Sequence, residues 1–181
     1  MNIFERLLLS REVTLREGEI TLDNQRVLMF PVNFIASYTL KLANNEAEGR
    51  KLYEIMKKGM YDFSIPIGKE YGLSYKDFLD RWIKYNAFAG WGMVEYKVID
   101  ADAAHGFLTY KNLTLHLYLK SKDVRKHSDR LLEGIIAGAL SSTFKVDIDA
   151  VETQCVCSGN DVCVFHWGPK DYLRKEFPGL I

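Results

Sequence analysis

The sequence has few cysteines, no excess of charge of either sign and no long apolar run. Its 24 basic and 24 acidic residues cancel, which leaves no electrostatic footprint for nucleic acid or for an anionic membrane. Its apolar runs are far shorter than the roughly 18 residues that a membrane span needs. The opening "IFERLLLS" contains charges and has no cleavage site after it, which excludes a typical signal peptide. We therefore expect a cytoplasmic protein without nucleic-acid or membrane partners.

The chain also lacks linkers, internal repeats and the short motifs of several enzyme classes. No Pro-, Gly- or Ser-rich stretch divides its 181 residues, 48% of which are hydrophobic, so we expect a single domain over residues 1–181 with a substantial core. GxGxxG, GxxxxGK[ST] and GxSxG are absent. The sequence therefore contains no motif for nucleotide binding or for serine hydrolase chemistry, and no residue is assigned a catalytic role.

Helical spacing dominates the first half of the chain. We predict a short N-terminal helix over Asn2–Leu9 and then a hairpin in "REGEITLDNQRVLMFP" with its turn at "DNQ". "PVNFIASYTLKLANN" and "EAEGRKLYEIMKKGMYDFSIPIGKEYG" predict helices, the second broken near Ser64–Pro66. "SYKDFLDRWIKYNAFAGWG" predicts a further helix with Ser74 as its N-cap. One face of this helix carries apolar residues at helical spacing: Phe78, Trp82 and Tyr85.

The pattern in the second half changes mainly to period two. "WGMVEYKVID" and "HGFLTYKNLTLHLYL" predict strands, followed by a long helix from Ser128 to about Phe144. Strands in "VDIDAVETQCVC" and "VCVFHW" and a short helix in "PKDYLRKEF" complete the chain. Gly134, Gly138 and Ser141 share one face of the long helix, which favours close packing over backbone exposed to a ligand. The predicted class is α+β, a mostly antiparallel sheet packed with helices.

All three cysteines lie within nine residues, in "CVCSGNDVC". If Cys155 pairs with Cys163 across a hairpin, Cys157 pairs with Asp161 and residues 158–160 form a three-residue loop. That register places the three thiols on one face, whereas a four-residue loop would separate Cys155 from Cys163. Glu152, three residues before Cys155, joins them only if the strand bulges.

Three chemistries remain open for this segment. Cys155, Cys163 and Glu152 supply three of the four ligands that zinc takes in a tetrahedron. Reduced core cysteines are the second interpretation, and a redox pair or nucleophile is the third. The nucleophile lacks a base, because His166 lies an odd number of residues from Cys163 and so faces the other way in a regular strand. In a reducing cytoplasm a structural disulfide is disfavoured.

A family resemblance follows from the order of these motifs. Glu152, Cys155, Cys163 and Phe165 form ExxC followed by CxF, after the helix "EGIIAGAL" and an upstream "GWGMVEY" strand that runs on to "LTYKNL". Together they resemble the 4-vinyl reductase domain family over about Gly18–Tyr172. The resemblance implies a small-molecule-binding domain, similar to the sensor regions of phenol- and toluene-responsive activators. It also implies a fold similar to that of TRAPP vesicle-tethering subunits.

The same resemblance implies a structural zinc. Glu152, Cys155 and Cys163 match three ligands of the aromatic sensors. The fourth, a cysteine at the start of the preceding helix, falls on Asp129 here. His127, two residues earlier, is the alternative fourth ligand, and an empty site is a further outcome of this departure.

The resemblance further implies an apolar ligand pocket beside the sheet and helices. Its candidate lining residues are aromatic: Trp82, Phe88, Trp91, Phe107 and Tyr110. His105 or His116 would supply a polar contact. Core packing is the competing interpretation of the aromatic residues, and surface positions near strand ends are the competing interpretation of the histidines.

Three functions follow as hypotheses. The first is a ligand-binding sensor or regulatory domain, expected as a homodimer that signals through a partner chain. The second is an enzyme or accessory protein of tetrapyrrole vinyl-group reduction, which needs a hydride or electron source for which the chain has no nucleotide motif. The third is a structural or tethering module.

Overall fold

The computed structural model describes residue 5 and residues 8–10, 12–43, 45–124 and 129–180. The predicted helix Asn2–Leu9 lies largely outside the described residues, and His127 lies wholly outside them. Within this part of the chain, no helix combines the length and the apolar character needed to cross a bilayer.

The N-terminal strands form a small antiparallel sheet of β1 (Val13–Arg16), β2 (Glu19–Leu22) and β3 (Gln25–Val27). Strands β2 and β3 form the predicted hairpin, whereas β1 was not predicted. Asp23 and Asn24 form the turn at φ 44° and 62°, because two-residue hairpin turns require positive φ. The buried Asp23 carboxylate accepts hydrogen bonds from Arg81 Nη1 at 2.5 Å and from the Tyr85 hydroxyl. These bonds attach the small sheet to a helix.

Three helices follow: α1 (Val32–Ala43), α2 (Glu46–Tyr71) and α3 (Tyr75–Phe88). Ser74 caps α3 as predicted, in a reciprocal capping box with Asp77. The predicted break near Ser64–Pro66 is wrong, because α2 continues through Pro66. Ser64 and Ile67 are buried on either side of the proline, so packing stabilises a turn that lacks one backbone hydrogen bond.

The main sheet confirms the predicted class. Its strands are β4 (Met93–Asp100), β5 (His105–Lys111), β6 (Asp149–Gln154) and β7 (Cys163–Gly168), in the order β4-β5-β7-β6 with antiparallel neighbours. The inner face of this sheet carries fully buried side chains that form the centre of the core: Leu108, Tyr110, Phe165 and Trp167.

The remaining helices are α4 (Thr114–Ser121), α5 (Arg130–Phe144) and α6 (Lys170–Glu176). The prediction of strand through "LTLHLYL" is wrong, because β5 ends at Lys111 and α4 follows. Asn112 turns the chain at φ 55°. In α4, Leu115 and Leu119 lie one helical turn apart and are both buried in the core. This burial stabilises the helix more than the local period-two pattern favours a strand.

An exposed apolar surface lies before and along α1. Leu28 and Met29 are 80% and 76% exposed, and Phe34 is 63% exposed. The Phe30 and Phe34 rings stack with centroids 5.5 Å apart, and Tyr38 is exposed one turn further along α1. We call residues 28–30, Phe34 and Tyr38 the apolar surface patch. Contiguous patches of this kind often mark interaction sites.

Close packing of the glycine face of α5 is observed against α2. A Cβ atom built at Gly134 would lie 2.5 Å from the carbonyl oxygen of Tyr53. One at Gly138 would overlap the carbonyl oxygen of Lys57 and lie 2.9 Å from the backbone nitrogen of Tyr61. These backbones therefore approach each other only because α5 carries glycine here.

We expect Gly138→Ala to lower the free energy of unfolding by about 1–3 kcal/mol, because the added methyl group overpacks the α2–α5 contact. Gly59→Ala is the matched control, since a Cβ there meets nothing within 4 Å and alanine favours a helix interior by roughly 0.5–1 kcal/mol. Urea denaturation of both variants measures the difference. Equal stability of the two variants would contradict this packing.

Candidate metal centre

Four ionisable side chains from three elements meet beneath the main sheet. Glu152 lies in β6, Cys155 directly follows β6, Cys163 begins β7, and His116 lies in the first turn of α4. One ligand atom from each of these residues lies within 4.8 Å of all the others. We call these four residues the Cys–His–Glu cluster.

A strand bulge brings Glu152 to the same side as the cysteines. Glu152 pairs with Phe165 and Gln154 with Val164, so the β6–β7 register shifts by one residue between Glu152 and Gln154. The sequence analysis made this bulge the condition for Glu152 to join the two thiols. The structure meets that condition.

The connection between β6 and β7 differs from the predicted three-residue loop. The chain leaves β6 after Gln154, forms a 3₁₀ turn over Val156–Ser158, and re-enters the sheet at Cys163. The pairing of Cys157 with Asp161 is therefore wrong. The thiols of Cys155 and Cys163 still face each other, because the bulge and the turn restore the alignment that the short loop was expected to provide.

His116 Nδ1 is the centre of the cluster. It lies 3.0 Å from Cys163 Sγ, 3.3 Å from Cys155 Sγ and 3.3 Å from Glu152 Oε1. On the other side of the ring, His116 Nε2 lies 2.7 Å from Asp129 Oδ2. The imidazole therefore bridges the cluster and the start of α5.

Burial and mutual contacts shift the pKa values of these groups. Burial lowers the pKa of His116, but hydrogen bonding to Asp129 and Cys155 outweighs it and raises that pKa to about 10. Burial raises the pKa of Glu152 to about 10, against the opposing charge of His116. The hydrogen bond between the two thiols lowers the pKa of Cys155 and, together with burial, raises that of Cys163. The cluster thus retains protons at neutral pH that a bound cation would displace.

The donor set and its spacing suit zinc. Zn²⁺ takes thiolate, imidazole and carboxylate at about 2.0–2.3 Å, which places neighbouring donors of a tetrahedron about 3.3–3.8 Å apart. The distances from Nδ1, 3.0–3.3 Å, approach that spacing. Glu152 Oε1 is buried and, apart from its 3.3 Å contact with His116 Nδ1, makes no hydrogen bond among the described residues, so it remains available to a metal.

Cys157 lies beside the cluster but outside it. Its thiol donates to the carbonyl oxygen of His116 at 3.3 Å, and burial followed by the nearby Cys155 raises its pKa to about 12. The backbone N–H of Val156 instead points to Cys163 Sγ, with N and S 3.4 Å apart. Cys155 and Cys163 therefore belong to the cluster, whereas Cys157 supports the helix that carries His116.

The structure places a base beside a candidate nucleophilic thiol, but that thiol is buried. A thiol, an imidazole and a carboxylate form a line from Cys163 through His116 to Asp129. Three residues are each 0% exposed, so this sulfur does not contact solvent: Cys163, His116 and Asp129. Reactive cysteines are partly exposed, and the arrangement therefore favours a structural role.

The sequence analysis missed His116 as a member of the cluster. Its placement near the surface at a strand end is wrong, because α4 buries it completely. The i, i+4 pair Leu115 and Leu119 was the available signal for a helix. Asp129, a candidate for the missing fourth ligand, contacts His116 Nε2 through its Oδ2. His105 lies at the start of β5 and stacks on Tyr172, with ring centroids 4.2 Å apart.

The five aromatic candidates do not share one surface. Trp82 and Tyr110 are buried in the main core, with the Tyr110 hydroxyl donating to Asn86 Oδ1 at 3.3 Å. Phe107 points to the opposite face of β5, where its ring lies 5.6 Å from that of His166. Trp91 is partly buried against the main core. Phe88 is partly buried against a second, smaller group of core residues that includes Val13 and Leu22 of the small sheet.

Comparisons with known proteins identify the fold. No family model and no curated protein matches the chain. Among solved structures, it is similar to the phenol-responsive sensory domain of the transcription activator PoxR with phenol. That match has a TM-score of 0.71 and 18% identity, and it covers 92% of this chain and 88% of that one.

Two further structures share the fold. One is a vinyl-4-reductase family protein from Methanocaldococcus jannaschii, with a TM-score of 0.52, 21% identity and coverage of 78% of this chain and 82% of that chain. The other is trafficking protein particle complex subunit 3 from Naegleria fowleri covalently bound to palmitic acid, with a TM-score of 0.50, 14% identity and coverage of 76% and 93%. The resemblance to vinyl-reductase, sensor and tethering proteins is thus confirmed as a likeness of fold.

Proposed function

We propose that this chain is a small-molecule-binding domain of the sensor type, with a zinc ion bound by Glu152, Cys155, Cys163 and His116. The observation that carries the proposal is the buried cluster of four donors. Four protein ligands fill a tetrahedron and leave no position for water or substrate, which is typical of structural zinc. The ion would join α4 to the β6–β7 hairpin and neutralise the buried thiolates and carboxylate.

The fold likeness to a phenol-binding sensory domain supports the ligand-binding part of the proposal. We assign the ligand to the inner side of the main sheet, near Trp82 and Tyr110. Tyr110 and Asn86 place a polar pair beside apolar core side chains, as a site for a small aromatic molecule with one polar group requires. Phe107 is excluded from this assignment by its direction.

We expect purified protein to carry about one zinc per chain, and Cys155→Ser or Cys163→Ser to lose it. Since a structural metal binds the folded state preferentially, its removal by a chelator should lower the melting temperature. Elemental analysis and thermal denaturation measure these effects. Cys157→Ser is the matched control, because this buried thiol lies outside the cluster and donates to the carbonyl oxygen of His116, and serine preserves that donor. Full zinc content in the Cys155→Ser, Cys163→Ser double variant would refute the site.

We expect phenols or short hydrocarbons to bind and to remain chemically unchanged. Tryptophan fluorescence and melting temperature report binding, and incubation with NADPH tests for turnover. Tyr110→Phe should weaken a phenol by roughly threefold to tenfold, the value of one hydrogen bond, and leave a hydrocarbon unaffected. Phe107→Leu is the control on the opposite face and should bind both normally. Conversion of a bound tetrapyrrole at a rate proportional to protein concentration would favour the reductase, and no binding at all would favour the tethering module.

The homodimer and the regulatory partner chain also remain proposals. We assign the homodimer contact to the apolar surface patch, whose side chains are otherwise exposed to water. Native mass spectrometry should show a dimer for the wild type and a monomer for Phe34→Glu. Ile55→Glu is the control, because Ile55 is 62% exposed in α2, outside the patch. A dimer that survives Phe34→Glu would place the contact elsewhere.

A further inference from the structure

Asp129 uses both oxygens of its carboxylate for different partners. Its Oδ1 accepts a hydrogen bond from the backbone N–H of Leu132 at 2.9 Å, which caps α5. Its Oδ2 lies 2.7 Å from His116 Nε2. The side chain is 0% exposed, so these contacts are made away from water, where hydrogen bonds to charged groups are strong.

This contact determines which nitrogen of His116 carries the proton in the neutral ring. A carboxylate only accepts hydrogen bonds, so Nε2 must be the donor toward Asp129. Nδ1 then presents its lone pair to the side where Cys155, Cys163 and Glu152 converge. Metal-binding histidines are commonly oriented in this way by a carboxylate that binds the second ring nitrogen.

We propose that Asp129 is a positioning residue of the metal centre, which holds His116 in the Nδ1-binding tautomer and connects the centre to the start of α5. This inference rests on the proposed zinc site. Asp129 would then take over two roles at the position where the family resemblance implies a ligating cysteine. It begins the helix, and it would act on the metal through His116.

Asp129→Asn separates these two roles without changing the shape of the side chain. An asparagine has one acceptor oxygen, and when that oxygen caps Leu132, its NH₂ group faces His116 Nε2. Nε2 must then accept, which moves the ring proton to Nδ1 and directs it into the cluster. Asp129→Ser keeps a good helix cap but places no opposing donor against the ring.

The experiment makes two measurements on each variant. Competition with a chelator gives the zinc affinity, and long-range ¹H–¹⁵N NMR gives the tautomer of His116. The chain has only 4 histidines, so their signals can be assigned. We expect zinc-loaded wild type to show a protonated Nε2. We expect about 10–100-fold weaker zinc binding in Asp129→Asn, and a smaller loss in Asp129→Ser. Ser74→Ala removes the cap of α3 instead and should leave zinc affinity unchanged, which controls for lost helix capping.

The outcomes separate this inference from the proposed function. Zinc binding that is unchanged in Asp129→Asn overturns the role of Asp129 and leaves the zinc site intact. A proton on Nδ1 of zinc-loaded wild type overturns both, because a protonated Nδ1 cannot bind the ion. Absence of zinc from wild type overturns both. If Asp129→Asn does not fold, Asp129→Ser decides, because wild-type zinc affinity in that variant contradicts the inference.

Discussion

The line of buried contacts from Asp129 through His116 to the cysteines constrains the rest of this fold. Polar groups removed from water are costly unless each has a partner, and here the partners come from α5, α4 and the β6–β7 hairpin. The turn at Asn112, which ends β5 and lets α4 begin, directs His116 inward. The bulge in β6 brings Glu152 to the same point. Two local irregularities thus serve one buried site.

The parts of the fold that the sequence predicts are those determined locally. Ser74 with Asp77 forms the expected capping box, and the turn residues Asp23 and Asn24 adopt the positive φ that their hairpin needs. The spacing of Gly134 and Gly138 indicated close packing, although the sequence could not identify α2 as the neighbour. Pro66 shows the limit of such inference, because the burial of Ser64 and Ile67 beside it keeps a helix-breaking residue within α2.

The sequence predicted those parts of the candidate site that depend on side-chain parity along the strands, and missed those that depend on tertiary packing. Side-chain parity paired Cys155 with Cys163 and correctly required a bulge for Glu152. The parity argument did not anticipate the 3₁₀ turn, since that depends on packing of Val156 and Cys157 against α4. His116 was missed because alternating leucines mimic a strand, and only the completed core selects the helix.

Compared with the ligand set that the resemblance implies, Asp129 keeps the negative charge of a thiolate but changes the chemistry of the site. A ligand set of one glutamate and three cysteines, as the resemblance implies, carries the same formal negative charge as Glu152, Cys155, Cys163 and Asp129 together. In this chain, however, the last carboxylate lies behind the His116 imidazole, 2.7 Å from Nε2. In the proposed zinc site, a nitrogen would lie next to the metal where the resemblance implies a sulfur, and the negative charge would lie one residue further out. Because imidazole is a harder ligand than thiolate, such a centre should discriminate less strongly in favour of soft metal ions than a centre with three thiolates.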